Sequence, residues 1–184
     1  MPDPEVERTP LEREWARTTV TAGTPTERVH VTMVGDHDVT VGVDPSWYAT
    51  TTAAELQAEL VRAARLAYVA RTRAYYETWS TLTGREVRPV TTPVSPEQEA
   101  YARALEDISA RGESSGGHVT LSMVGLSHFA VSLSTGVQDA LGVREFGEHC
   151  REAALACLGD HEQAWQRVHF DVYTRPRLER AGLL

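Results

Sequence analysis

Residues 29–45, VHVTMVGDHDVTVGVDP, contain the clearest strand pattern in the chain, and the fold prediction begins with them. Apolar residues alternate with polar ones on both sides of Gly35, and a period of two is typical of strands that bury one face. Gly35 and Asp36 supply the backbone geometry of a tight turn. The stretch therefore predicts a β-hairpin. Its second strand ends at Pro45, because proline has no N–H to donate to a ladder.

A long amphipathic helix is predicted to follow this hairpin. Thr52 and Glu55 have the spacing of a capping box, which satisfies two backbone N–H groups at a helix start. The helix would run from Ala53 to about Trp79, with Gly84 as its stop signal. The apolar residues that share one face of this helix are Leu56, Leu60, Ala63, Ala64, Ala67 and Tyr75.

The same pattern recurs further along the chain. Met33-Val34-Gly35 falls on Met123-Val124-Gly125 at a shift of 90 residues. The matches that follow occupy positions that would face inward in both copies, so we predict an internal duplication. Residues 118–124 and 128–134 would form the second hairpin, around Gly125.

Each copy is predicted to contain a helix, a hairpin and a long helix. Residues 10–17 are the first helix of the first copy. In the second copy Ser95 is expected to cap a helix over residues 96–110, and Phe146 lies at the start of the long helix. Residues 168–173 alternate like a strand, which leaves two alternatives, an added edge strand or the last turn of that helix.

The predicted fold class is α+β, built from two helix–β-hairpin–long-helix repeats. Residues 1–88 would form the first repeat and residues 89–184 the second, with proline-bearing residues 85–94 as the linker. Two independent halves of this size would each be only marginally stable. We therefore expect the halves to share one core.

These elements resemble the YbaB/EbfC family of small nucleoid-associated proteins. The resemblance is carried by residues 29–35, by residues 39–45 and by Ala54-Glu55-Leu56 with the alanine-rich helix behind them. It is weaker in the second copy, where Ser134-Thr135 replaces Asp-Pro. The resemblance implies dimers of α-β-α subunits that bind DNA with little sequence specificity. This chain would then be a pseudo-two-fold YbaB-like dimer linked in one polypeptide.

Three arginines on the polar side of the first long helix are the candidate DNA contacts. Arg62, Arg65 and Arg73 would neutralise backbone phosphates of duplex DNA without reading its sequence. Glu59 and Glu77 lie on the same side, which is equally typical of a solvated helix face. Sequence alone favours the solvated face, and the family resemblance makes the two interpretations about equal.

The leading prediction is therefore a non-catalytic DNA-binding or nucleoid-associated regulatory protein with little sequence specificity. The charge balance favours an alternative from a second function class. The chain has 26 acidic and 18 basic residues, a net charge of −8, which argues against a general attraction to polyanions. The alternative is a protein-interaction adaptor or secretion-type chaperone that keeps the fold without binding nucleic acid. Such a chain would be either a monomeric pseudo-dimer or a homodimer formed through exposed helix faces.

No sequence pattern predicts catalysis, a cofactor or a metal site. The chain lacks a phosphate-binding loop, a nucleophile elbow, HExxH and paired CxxC motifs. Asp36-His37-Asp38 could bind a cation, but a polar hairpin turn is the favoured interpretation. Cys150 and Cys157 lie about 10 Å apart on one helix, too far for a disulfide. We expect them to pack in the core.

The hydrophobic pattern predicts no membrane partner. The sequence shows neither an apolar secretory segment nor a run of about 18 apolar residues. We therefore expect a cytoplasmic protein, located at the nucleoid if it binds DNA.

Overall fold

Two three-stranded antiparallel sheets form the framework of the chain in the computed structural model, which describes residues 9–88, 93–125 and 127–183. The strands pair in the orders β1-β2-β3 and β4-β5-β6. Their bounds are β1 Thr19–Gly23, β2 Val29–Val34, β3 Asp38–Val43, β4 Ser109–Glu113, β5 Val119–Val124 and β6 His128–Leu133. The α+β class is thereby confirmed.

Helices flank the two sheets in the same order in both halves, and a further short helix follows in the second half. Their bounds are α1 Pro10–Trp15, α2 Pro45–Tyr48, α3 Ala53–Thr83, α4 Pro96–Glu106, α5 Val137–Ala140, α6 Val143–His169 and α7 Arg175–Arg180. The predicted capping box of Thr52 and Glu55 starts α3, and Gly84 ends it in the left-handed conformation with φ 65°. Ser95 caps α4 as predicted, with Pro96 at its first position. Pro89–Thr92, in the predicted linker, lie outside the described residues.

Each sheet contains a first strand that the hairpin prediction missed. In the second half, the helix predicted over residues 96–110 ends at Glu106, and β4 pairs with β5. The inward-facing residues of β4 are Ala110 and Gly112, small residues with little preference for strands. Hydrogen bonds to β5 and the packing of α6 over β4 therefore decide its conformation.

Residues 168–173 are helical, so the edge-strand alternative is wrong. Val168 and His169 end α6, and the chain continues through a π-helical turn over Phe170–Thr174. The ring of Tyr173 lies 5.1 Å from that of Tyr101 on α4. The alternating pattern thus reflects a helical turn packed against a neighbouring helix.

The two sheets have the same register at an offset of 90 residues. Thr19 pairs with Val34 in the first sheet, and Ser109 pairs with Val124 in the second. A buried hydroxyl closes the loop between the first two strands in both halves. Val29 N–H donates to Thr24 Oγ1 over 3.3 Å, and Val119 N–H donates to Ser114 Oγ over 3.0 Å. The 90-residue offset predicted from the sequence therefore also holds for these hydrogen bonds, although their acceptors are different residue types, Thr24 and Ser114.

The long helices interlock the two halves around one core. α3 packs on β1 and β2 of its own sheet and on β6 of the other, and α6 packs on β4, β5 and β3 in the same way. Leu56 and Phe146, which occupy equivalent positions, are both completely buried in one apolar cluster. The shared core expected from the chain length is therefore present. Within the described ranges, no helix has both the length and the apolarity needed to cross a bilayer.

Candidate functional site

Arg62, Arg65 and Arg73 lie on the outer face of α3, opposite the side that packs on the sheets. All three residues are exposed. They fall on one line along the helix, with a rise of about 16 Å from Arg62 to Arg73. The structure therefore brings the three sequence-predicted residues together on one surface.

Two of these three guanidinium groups already have a carboxylate partner. Arg62 Nη1 lies 2.7 Å from Glu59 Oε2, and Arg73 Nε lies 2.7 Å from Glu77 Oε1. Arg65 forms no ion pair with the residues that the structure describes. The local positive charge is thus much smaller than three arginines would suggest.

Glu59 is buried, which the sequence did not indicate. Only 5% of the residue is exposed, and its carboxylate accepts a hydrogen bond from the Thr26 hydroxyl. Burial alone would raise the pKa of Glu59, but hydrogen bonds from Thr26 and Thr24 and the charge of Arg62 outweigh it and lower that pKa. Glu59 is therefore an anion that ties α3 to the β1–β2 loop, and Arg62 is its counter-ion.

Two apolar side chains stand between the arginines. Leu66 is 36% exposed and Val69 is 64% exposed, at the centre of the same line. We call these five residues the α3 outer stripe: Arg62, Arg65, Leu66, Val69 and Arg73. An exposed valine adds nothing to a phosphate contact, whereas apolar centres with charged margins are typical of protein interfaces.

The second long helix has no counterpart of this surface. The positions on α6 that lie 90 residues after the stripe are Glu152, Leu155, Ala156, Gly159 and Gln163. None of them is basic, and the Glu152 carboxylate accepts hydrogen bonds from the backbone N–H and the hydroxyl of Ser115, over 2.8 Å and 2.7 Å. The stripe therefore belongs to the first half alone.

Aromatic residues extend the exposed surface toward the end of α3. Tyr76 stacks on Trp79 with ring centroids 6.4 Å apart, and Tyr75 meets Trp15 of α1 edge to face at 5.4 Å. Trp79 is 37% exposed and Leu82 is 45% exposed. The spacing of these aromatics on α3 was visible in the sequence, but their partial exposure was not.

The Asp36-His37-Asp38 turn has a structural role in this fold. Asp36 Oδ1 accepts from Arg71 Nε over 2.8 Å, and Asp36 Oδ2 accepts from Trp15 Nε1 over 2.8 Å. Asp38 lies 3.5 Å from Arg151 of the other half. Among the described residues, no group of three His, Cys, Asp or Glu is placed to hold a metal ion.

Both cysteines are buried in the apolar interior, as the sequence predicts. Burial raises the pKa of the Cys150 thiol to about 12, and burial with the nearby charge of Asp160 raises the pKa of Cys157 to about 11. Neither thiol is a thiolate at neutral pH. The two residues therefore pack as small hydrophobic groups and not as nucleophiles.

The function of this chain has to be inferred from its own geometry. The YbaB/EbfC resemblance stays a prediction, carried by β2, β3 and the first turns of α3. No family model, curated protein or solved structure matches the chain.

Proposed function

We propose that this chain is a non-catalytic protein-interaction module, in which the α3 outer stripe holds a helical segment of a partner protein. The observation that carries the proposal is the exposure of Leu66 and Val69 between arginines on one helix face. The segment that fits has apolar anchors one helical turn apart and acidic residues beside them. Amphipathic helices are commonly recognised through such anchors.

The charges of the stripe favour an acidic helix over a polyanion. Arg62 and Arg73 are paired with glutamates, so that Arg65 is the stripe arginine with no ion pair among the described residues. One or two carboxylates of a partner would complement this surface. Duplex DNA would add closely spaced phosphates against a chain of net charge −8, with unfavourable repulsion beyond the stripe.

Sequence-independent DNA binding through Arg62, Arg65 and Arg73 is the second candidate function. It is supported by the position of the three arginines on one face of α3, where they extend over about 16 Å along the helix. Because phosphate contacts release counter-ions, DNA binding would weaken steeply with salt, whereas an apolar protein contact would not.

Fluorescence anisotropy with the full chain tests both candidates. The probes are a helical peptide with leucine anchors and glutamate flanks, the same peptide with lysine flanks, and a 20-base-pair duplex. We expect the glutamate peptide to bind best, with an affinity that Val69→Ser lowers by about tenfold, the scale of a central interface residue. Val94→Ser is the matched control, because Val94 is also exposed, at 85%, but does not belong to α3.

Two results would overturn the protein-interaction proposal. One is salt-sensitive binding of the duplex that is unaffected by Val69→Ser but is lost when Arg62, Arg65 and Arg73 are all changed to Glu. This result would establish DNA binding instead. The other is failure of the glutamate peptide to bind better than the lysine peptide. Circular dichroism of each variant confirms that it is folded.

A further inference from the structure

A partly enclosed apolar cavity lies between the two halves, and none of its lining residues belongs to the α3 outer stripe. Its volume is about 100 Å³, and its walls come from both sheets and both long helices. Most of the lining residues fall into pairs that are 90 residues apart in sequence. Met33 with Met123, Ala64 with Ala154, and Ala67 with Cys157 are three such pairs. The cavity therefore lies where equivalent surfaces of the two halves face each other.

The cavity follows from small side chains at positions that face the other half. Ala64 and Ala154 stand at equivalent positions of α3 and α6, and Cys150 occupies the position that Leu60 has in the first half. Protein interiors are otherwise packed to the density of organic crystals, with few voids larger than a water molecule. A void of this size is therefore a specific property of this core.

The walls are suited to an apolar occupant. Among the described lining residues, only Tyr68 and Arg71 carry strongly polar side chains. Arg71 is already engaged, because its Nε donates to Asp36 Oδ1 over 2.8 Å and its guanidinium lies 5.4 Å from the Trp15 ring centroid. A bound water needs two to four polar partners, which apolar walls do not supply, and apolar cavities accept apolar molecules instead.

We infer that this cavity is a binding site for a small uncharged apolar molecule of the size class of benzene. An engineered apolar cavity of about 150 Å³ in another protein binds benzene and xenon, which sets the scale for the ligand. Binding would increase stability, because the ligand occupies the folded state and not the unfolded one. This site is independent of the α3 outer stripe and of the proposed protein partner.

Methionine methyl NMR on the full chain tests the inference with benzene as the probe. The chain has 3 methionines, of which Met33 and Met123 line the cavity. We expect benzene to shift the Met33 and Met123 methyl resonances saturably. Benzoate, which has the same ring and a charge, should bind at least tenfold more weakly.

Cavity-filling variants supply the control. Ala154→Leu should lower the benzene affinity by at least tenfold, whereas Ala156→Leu, an exposed position on the same helix, should leave it unchanged. If Ala154→Leu does not fold, Ala64→Leu provides the same test from the other half. The inference is overturned if Met33 and Met123 show no saturable shift in the unmodified chain, or if a folded filled variant binds benzene equally well. Tighter binding of benzoate would overturn the assignment of an uncharged ligand.

Discussion

Glu59 is the buried charge that joins the first long helix to its sheet. In sequence it looks like one member of an i, i+3 surface pair with Arg62. In the structure its carboxylate lies under the β1–β2 loop and accepts from the Thr26 hydroxyl. A buried carboxylate is stable only when its charge is compensated, and Thr26 with Arg62 provides that compensation.

Glu59 should make the stability of the chain dependent on pH in the acidic range. Its pKa is lower in the folded chain than its ordinary value of 4.5, so the unfolded state binds the proton more readily. Its stabilising contribution is complete above that ordinary value and is lost as the pH falls through the lower, folded-state pKa. Urea unfolding of Glu59→Gln should give a free energy of unfolding about 1 to 3 kcal/mol lower at pH 7. The loss should shrink at pH 3.

Glu77→Gln is the matched control for this prediction. Glu77 also pairs with a stripe arginine, but 62% of its side chain is exposed. We expect a change of no more than about 0.5 kcal/mol, the usual value for a surface pair. Equal losses in the two variants would contradict a special role for Glu59.

Tyr48 and Gln138 are residues that join the two halves through hydrogen bonds. The Tyr48 hydroxyl donates to the Leu141 carbonyl over 3.1 Å. The Gln138 amide donates to the carbonyls of Tyr48 and Thr51 over 2.9 Å and 3.0 Å. These partners are about 90 residues apart in sequence, so no local pattern could have predicted the contact.

Removal of these hydrogen bonds should lower the free energy of unfolding, and Gln138→Ala, which removes two of them, should lower it more than Tyr48→Phe, which removes one. Tyr48→Phe should lower the free energy of unfolding by about 1 kcal/mol, the net value of one hydrogen bond. Gln138→Ala should cost about 1 to 3 kcal/mol, because it leaves two carbonyl groups without their donor. Urea denaturation measures both, with exposed Gln163→Ala as the control. A Gln163→Ala loss as large as that of Gln138→Ala would count against the assignment.

Among the elements, β4 and α6 make the closest backbone approach at a glycine. A side-chain Cβ at Gly112 would lie 2.1 Å from the Ala153 carbonyl oxygen and 2.2 Å from the Cys157 backbone nitrogen. The equivalent position in the first half is Ala22, which has a Cβ. The second long helix therefore lies closer to its first strand at this point than a side chain would allow.

Substitution of two glycines should change stability in opposite directions. Gly112→Ala should lower the free energy of unfolding by at least about 3 kcal/mol, because the atoms that it meets are backbone and cannot move aside cheaply. Gly159→Ala, inside α6 where an added Cβ would meet no described atom within 4 Å, should raise it by about 0.5 to 1 kcal/mol through helix propensity. Thermal unfolding of the two variants measures the contrast. Similar values for both would show that α6 leaves room for a side chain at Gly112.

At the scale of the whole molecule, the interlocked helices lead us to expect that the two halves fold as one unit. α3 covers a strand of the second sheet and α6 covers a strand of the first. Each half alone would expose the apolar surface that the other half covers, and small domains tolerate such exposure poorly. We therefore expect the chain to unfold in a single transition.

Phe146→Ala tests this cooperativity, because Phe146 belongs to the second half and is completely buried. The substitution should cost about 3 to 5 kcal/mol. The Met33 and Met123 methyl resonances should lose their folded positions at the same, lower urea concentration. Phe170→Ala, at a site that is 39% exposed, is the control. A Met33 midpoint that does not move would show that the first half folds independently.

The local parts of this fold could be predicted from the amino-acid sequence. The alternation around Gly35, the capping residues of α3 and α4 and the stop at Gly84 depend on neighbours within a few residues. The 90-residue offset was also available, because it repeats the spacing of inward-facing residues. The same helical periodicity placed the three candidate arginines on one exposed face.

Which surfaces meet depends on the tertiary structure alone. The strand β4 forms because β5 pairs with it and α6 packs over its small residues. Glu59 is buried because the β1–β2 loop closes over it. The exposure of Leu66 and Val69 and the cavity beside Ala64 and Ala154 depend on where the other half lies. Packing between distant segments depends on the shapes and volumes of the side chains that meet. The local hydrophobic periodicity of a sequence contains no information on them. The positions of the charged residues in the candidate site could therefore be predicted from the sequence. The contacts that these residues make with distant segments could not.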